Sequence, residues 1–300
     1  MPSVKATLDY LQRLPLYETE KPYWCFLPPR EGFDPDKQRV DNLEFEERSD
    51  ITIHDIRELE SSPDIEDSGY QVFKHQSKFS RFDRADDVIQ YKIETEDFLK
   101  EGLGGVYAKC YDTVLRKNIA FERNILDLAD PLHTEGPARG VHNGKLSFKS
   151  ELHLDQKLTS LTRHHVRFWP NHYQSLHVGP GQEEILETWL PLPNHQVDFK
   201  SAPLVLLEAN VFCSTWRTLI PELEDRPLAL CDSRSVEPDD LVPADRVIPG
   251  KAGEVYYLNY NPNHKWYWLE KQTPSEPFVF VMYDTKAGSH ARCMSSDVPI

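Results

Sequence analysis

A histidine and an acidic residue separated by one position can offer an imidazole and a carboxylate to a single ion when a strand carries them, because alternate strand residues share a face. The sequence holds two such pairs, His153-Leu-Asp155 and His133-Thr-Glu135. Twelve histidines and 49 acidic residues in 300 give about two by chance, so context must choose between them. His133-Thr-Glu135 sits in DPLHTEGP, a proline-flanked loop text with no rigid strand. His153 and Asp155 sit in KLSFKSELHLDQ, residues 145–156. There Leu146, Phe148, Ser150, Leu152 and Leu154 alternate with Lys149, Glu151, His153 and Asp155. A second imidazole from a distant strand would complete a two-histidine, one-carboxylate set, which leaves coordination positions open on Fe(II). His264, in NPNHKWYWLE, opens an aromatic segment and is the candidate third ligand. Its alternative is a cap on the Asn-Pro-Asn turn, and His164, His165, His172, His177 and His195 are other possible donors.

The elements that must position these groups read as strands. From Gly105 onward the text consists of short runs rich in β-branched and aromatic residues, divided by Pro, Gly, Asn and Asp. They are GVYAKCYDTVL, KLSFKSELHLDQ, LTRHHVRFW, ETWLPLP, PLVLLEANVF, EVYYLNYN, HKWYWLEK and PFVFVMYD. About eight such strands without intervening helices suit a jelly roll or Greek-key barrel. Two helices are expected to flank them. One is residues 3–14, with Ser3 as N-cap; the other is residues 86–103, which have apolar positions at helical intervals and end at glycines. Residues 18–70, acidic and thinly apolar, read as an extended arm or surface segment. The division expected is therefore an N-terminal helical and extended arm, 1–85, packed on a core domain, 86–300.

Bulk properties narrow the function. The net charge of −15 opposes binding to nucleic acid or to an anionic membrane surface. No apolar run approaches the ~20 residues of a membrane span, and the N-terminus carries no apolar signal segment. Five scattered cysteines with no CxxC suit a reducing compartment, so a cytoplasmic protein is expected.

The ordered series FLKEGLGGVYAKCYDTVLRKN, HLDQ, STWRTL, DRPLALCDSRSV with DDLV, NPNHKWYWL with TPSEP, then YDT and AR resembles the fungal hydroxylase/desaturase (cephem-methoxylase-like) family. That family comprises oxygenases of secondary metabolism, and the likeness runs from about Asp87 to Arg292. The resemblance implies a mainly β chain with flanking helices, folded as a double-stranded β-helix (cupin-type jelly roll). It implies Fe(II) on His153, Asp155 and His264, with 2-oxoglutarate as cosubstrate. It also implies arginines at Arg217 and Arg292, whose planar forks suit a carboxylate. Three positions depart from the family pattern: Val281 stands where a lysine is usual, Ser214 and Thr215 where an asparagine precedes Trp-Arg, and Ser295 or Ser296 where a histidine is common.

The function expected is an Fe(II)- and 2-oxoglutarate-dependent oxygenase that hydroxylates, desaturates or cyclises a small-molecule intermediate. Trp216, Tyr256, Trp266 and Tyr267 are candidate walls of the substrate pocket. Two other readings use the same fold. One is an iron enzyme working without 2-oxoglutarate, which Val281 motivates; the other is a non-catalytic partner subunit.

Overall fold

The computed structural model describes residues 3–26, 34, 39–105, 107–110, 112–118, 130–138, 140–143, 211–248, 251–284 and 293–298. The first strand, β1 (Val4–Leu11), replaces the helix expected over residues 3–14. VKATLDYL carries both periods: Val4, Leu8 and Leu11 fit a helix, and Ala6, Leu8 and Tyr10 fit a strand. Pairing with β3 (Phe45–Asp55) decides between them, since it buries Ala6, Leu8 and Tyr10 together. The acidic segment read as an arm therefore supplies strands: β2 (Tyr23–Cys25), β3, and, beyond a short helix α1 (Ile65–Ser68), β4 (Tyr70–Val72). The second expected helix forms as α2 (Ala85–Gly102), with the Asp87 carboxylate accepting from the backbone N–H of Arg84 and Asp83 at its start.

Three short strands follow, β5 (Leu115–Arg116), β6 (Thr134–Glu135) and β7 (His142–Asn143). Then come β8 (Val211–Trp216), β9 (Leu228–Cys231), β10 (Leu241–Ile248), β11 (Lys251–Leu258), β12 (Trp266–Trp268), β13 (Phe278–Asp284) and β14 (Ser295–Asp297). Of GVYAKCYDTVL, only Leu115 lies in a described strand, paired parallel to β6; EVYYLNYN, HKWYWLEK and PFVFVMYD become β11, β12 and β13. His133-Thr-Glu135, read as a loop, has Thr134 and Glu135 in β6.

Nine strands form one sheet in the order β1-β3-β12-β9-β14-β7-β11-β10-β2, and β4-β13-β8 form a second. The large sheet curls so that its β1 edge comes back against the interior strands β7 and β11. Val141, beside β7, donates its N–H to Asp9 of β1 at 2.8 Å and accepts from Leu258 of β11 at 3.1 Å. Pro243 is tolerated in β10 because β2 begins pairing only at Asp245.

Three apolar clusters are found among the described residues, the smallest made of Leu11, Ala244, Val255 and Tyr257. Inside the curl lie Leu8, Tyr10, Ile53, Val141, Ala229, Cys231, Leu258, Trp266 and Met294. Between the outer face and the three-stranded sheet lie Tyr70, Leu228, Leu230, Phe278 and Phe280. Strand β9 serves both: Ala229 and Cys231 point one way, Leu228 and Leu230 the other, and all four are buried. Its uninterrupted apolar text, LALC, is what two covered faces require. The small side chains fall on the side that Trp266 crowds.

Candidate metal centre around His264

His264 is delivered by the turn that leads into β12. Asn261 builds that turn: its side-chain oxygen accepts from the Asn263 N–H at 3.0 Å, and its carbonyl accepts from the His264 N–H at 3.2 Å. The capping duty thus falls to Asn261, and the His264 imidazole points inward with only 1% of its side chain exposed. Tyr10 stacks on the ring at 5.9 Å and 16°, and Tyr260 meets Tyr10 edge-on at 5.3 Å. Tyr10 is itself fixed, because its hydroxyl accepts the indole N–H of Trp266 at 2.9 Å in the core.

The polar partner is Asp240, at the end of a 3₁₀ turn (Pro238–Asp240) entering β10. Its Oδ2 lies 3.1 Å from His264 Nε2 and also accepts from Asn261 Nδ2 at 2.9 Å and from the Glu237 N–H at 3.2 Å. Its Oδ1 accepts from Arg13 Nη2 at 3.0 Å. Burial lowers the His264 pKa, against the opposing pull of Asp240, so the ring is neutral at neutral pH. Neutral imidazole is the form that binds metals. The other ring nitrogen, Nδ1, is buried and meets no hydrogen-bond partner among the described residues. A buried ring nitrogen without a partner, on a ring held at its other nitrogen, fits a metal ligand, whereas an ordinary core histidine satisfies both nitrogens. His153 and Asp155 lie outside the described residues, as do His164, His165, His172, His177 and His195. Among the described residues no group of three or more His, Cys, Asp or Glu is placed to hold an ion.

Other expected site residues have definite places. Trp266 is fully buried in the inner cluster, and Tyr256 packs against the same cluster. Trp216 and Tyr267 pack against the outer cluster, whereas Trp266 and the Tyr10 ring that stacks on His264 belong to the inner one. Arg217 holds the chain together: Nη1 donates to the carbonyls of His75 (2.8 Å) and Pro274, Nη2 meets His75 Nδ1 at 2.8 Å, and Nε faces the Tyr91 hydroxyl at 3.4 Å. That leaves one of its five N–H groups for any carboxylate. Arg292 lies outside the described residues. Val281 is buried in β13, its N–H donating to Gly69 and its carbonyl accepting from Cys293. Ser214 faces Met282 Sδ at 3.1 Å, and Ser295 donates to the His142 carbonyl at 3.3 Å. Asp240, Tyr10 and Arg13 were not singled out as site residues from the sequence; the one signal for any of them was DDLV within the ordered series.

A family model described as an oxidoreductase/YMDC permease-like domain matches residues 8–214 and 210–296. The chain belongs to that family. Its relatives include the hydroxylase/desaturase efuI of Hormonema carpetanum, 25% identical over 258 residues, covering 81% of this chain and 74% of that one. A second is the alpha-ketoglutarate-dependent dioxygenase tstK of Talaromyces stipitatus, 23% identical over 270 residues, 86% of this chain and 80% of the other. Among solved structures, a tryptophan-to-phenylalanine variant of the iron and alpha-ketoglutarate-dependent endoperoxidase NvfI superposes with a TM-score of 0.67 at 18% identity. That match covers 100% of this chain and 90% of the variant. The likeness is one of fold, and it bears out the mainly β jelly-roll class expected from the strand text. No helix among the described residues is long and apolar enough to cross a membrane.

Proposed function

We propose that this chain is a non-haem Fe(II)- and 2-oxoglutarate-dependent oxygenase acting on a small-molecule intermediate of a fungal-type secondary-metabolic pathway, in the cytoplasm. The observation that carries the reading is His264: a buried, neutral imidazole with one nitrogen held by a carboxylate and the other unpaired. The oxygenase activities named for efuI and tstK support it, as does the resemblance that pairs His264 with His153 and Asp155. Fe(II) held by the three residues would supply open positions for the cosubstrate and dioxygen. The chain's own work is to hold the ligands, exclude water and orient the substrate. Tyr10, whose hydroxyl is held by Trp266, stacks on the His264 ring and belongs to the buried apolar inner cluster. Arg292 is the residue we assign to the cosubstrate carboxylate, with Arg217 anchoring β8 to the loops around His75 and Pro274.

Anaerobic addition of Fe(II) and 2-oxoglutarate to metal-free protein tests the proposal. A visible charge-transfer band is expected, absent in His153→Ala and in His264→Ala. Protein that binds no Fe(II) would refute it. A second reading, iron chemistry without 2-oxoglutarate, draws on Val281, whose apolar side chain is buried where the resembled family has a lysine. Fe(II) binding with no band on adding 2-oxoglutarate would favour that reading.

A further inference from the structure

We infer that His75 is a two-position switch: neutral, it pins Arg217 at the end of β8, and protonated, it lets go of Arg217 and turns to Glu94. The switch needs neither metal nor cosubstrate. Arg217 directly follows β8, and a guanidinium has only N–H donors to offer and keeps its charge at any pH. His75 Nδ1, which meets Arg217 Nη2 at 2.8 Å, is therefore the bare acceptor, and the hydrogen of the neutral ring is on Nε2. The His75 carbonyl accepts from Arg217 Nη1 at 2.8 Å, and its N–H donates to the Ser275 carbonyl at 3.0 Å. The main chain is thus tied on both sides, while the side chain keeps its own torsions.

A proton added at Nδ1 would set two donors and two cations against each other at 2.8 Å, which removes the hydrogen bond and adds repulsion. A destination for the cationic ring is built into α2. Glu94 Oε2 accepts from the Lys78 N–H at 3.0 Å, but its Oε1 is buried and meets no partner among the described residues. A protonated imidazole turned towards it would supply a charge-assisted hydrogen bond. The charged groups acting on the ring are Arg217 beyond β8 and Glu94 and Glu101 on α2; neighbouring Lys74 is engaged with Glu276. Burial and Arg217 outweigh the two carboxylates and hold the ring below its ordinary pKa of 6.5. The contact with Arg217 therefore stabilises the fold above about pH 6.5 and is lost as pH falls below it. Tyr91, whose hydroxyl faces Arg217 Nε at 3.4 Å, and Phe98, which packs on the imidazole at 4.4 Å, both belong to α2. The state of one ring thus decides how firmly that helix is tied to β8.

Nuclear magnetic resonance on the full-length chain tests this, with His75 assigned through its own backbone in labelled wild type. At about pH 7.5, long-range ¹H–¹⁵N correlation should show the Nε2–H tautomer, and the ring should titrate with a midpoint below 6.5. Hydrogen exchange, corrected for its intrinsic pH dependence, should show the β8 amides losing protection about 10-fold as the pH passes down through that midpoint. An Nδ1–H tautomer, a midpoint at or above 6.5, or β8 protection that does not change across the midpoint would overturn the inference, and none of these readings depends on a variant that folds. In His75→Gln the side-chain oxygen can still accept from Arg217 but cannot take up a proton, so β8 protection should stay level with pH; a loss equal to that of wild type would refute the role of His75. Glu94→Gln should move the midpoint lower still, and an unmoved midpoint would refute the second position of the switch.

Discussion

Glu276→Gln should remove a charge without changing shape at the knot that ties the two sheets together. The Glu276 carboxylate accepts both ends of the Arg57 fork, at 3.0 and 2.9 Å, and accepts from Lys74 at 3.0 Å and the Thr273 hydroxyl at 2.9 Å. Arg57 follows β3, Lys74 follows β4, and Thr273 lies in the turn between β12 and β13, so one side chain joins four strands. The Arg57 hydrogen bonds are the main reason its pKa falls from 4.5 to about 2. A shift of that size corresponds to about 3 kcal/mol of stability. Lys74 is 81% exposed, and solvent screening of such a partner brings the expectation down to about 2 kcal/mol. Because the folded pKa lies below the unfolded one, this stability is present in full above about pH 5 and is lost as pH falls towards 2. Urea unfolding of wild type and Glu276→Gln, at a series of pH values from 7 down to the lowest at which the wild type stays folded, measures it. The gap between the two should be largest at neutral pH and should narrow steadily below about pH 4.5. A gap that is constant with pH, or smaller than about 0.5 kcal/mol at pH 7, would show that the ion cluster does not stabilise the fold.

Further expectations concern the core and the turns. Tyr10→Phe leaves the buried Trp266 indole N–H without its acceptor and should cost about 1–2 kcal/mol in denaturant unfolding. Gly69→Ala places a Cβ 3.3 Å from the Ser233 side chain at a residue with φ +82°, and should destabilise by about 1–2 kcal/mol in the same assay. Burial pushes the Cys213 thiol up to about 11 and the Cys231 thiol up to about 12, and raises that of Cys293 well above its ordinary value. A thiol reagent at about pH 8 should therefore label Cys25 and Cys110 quickly in native protein and all five cysteines only after unfolding.

The aromatic segments were legible because two-sided burial leaves an unbroken apolar text: WYW and FVFVMYD are strands by composition alone. Helix α2 was legible for the opposite reason, since its single buried stripe of Val88, Thr95 and Phe98 leaves charged residues elsewhere. What the sequence hid was tertiary. VKATLDYL satisfies two periods, and only its partner strand removes the ambiguity. That partner, FEERSDITIHD, is half charged because its first half is exposed, so composition alone does not suggest a strand. The centre shows the same division. His264 could be found by residue type and by resemblance, but Asp240 stands 24 residues earlier, and only the fold brings the two within 3.1 Å.

The pairing of β3 with β12 also sets an order of events during synthesis. Ile53 lies beside Trp266 in a parallel register, so the neighbour of β3 emerges from the ribosome about 210 residues later. At roughly 5–20 residues per second, β3 waits on the order of 10–40 s with its edge unmatched. Such an edge invites pairing with other chains, and charges on it are the common protection. In the finished fold β12 covers only the Ile53–Asp55 end, and Glu46, Glu47, Arg48 and Asp50 fall on the remainder. The acidic text that conceals this strand in the sequence is thus suited to guard it while the nascent chain is incomplete.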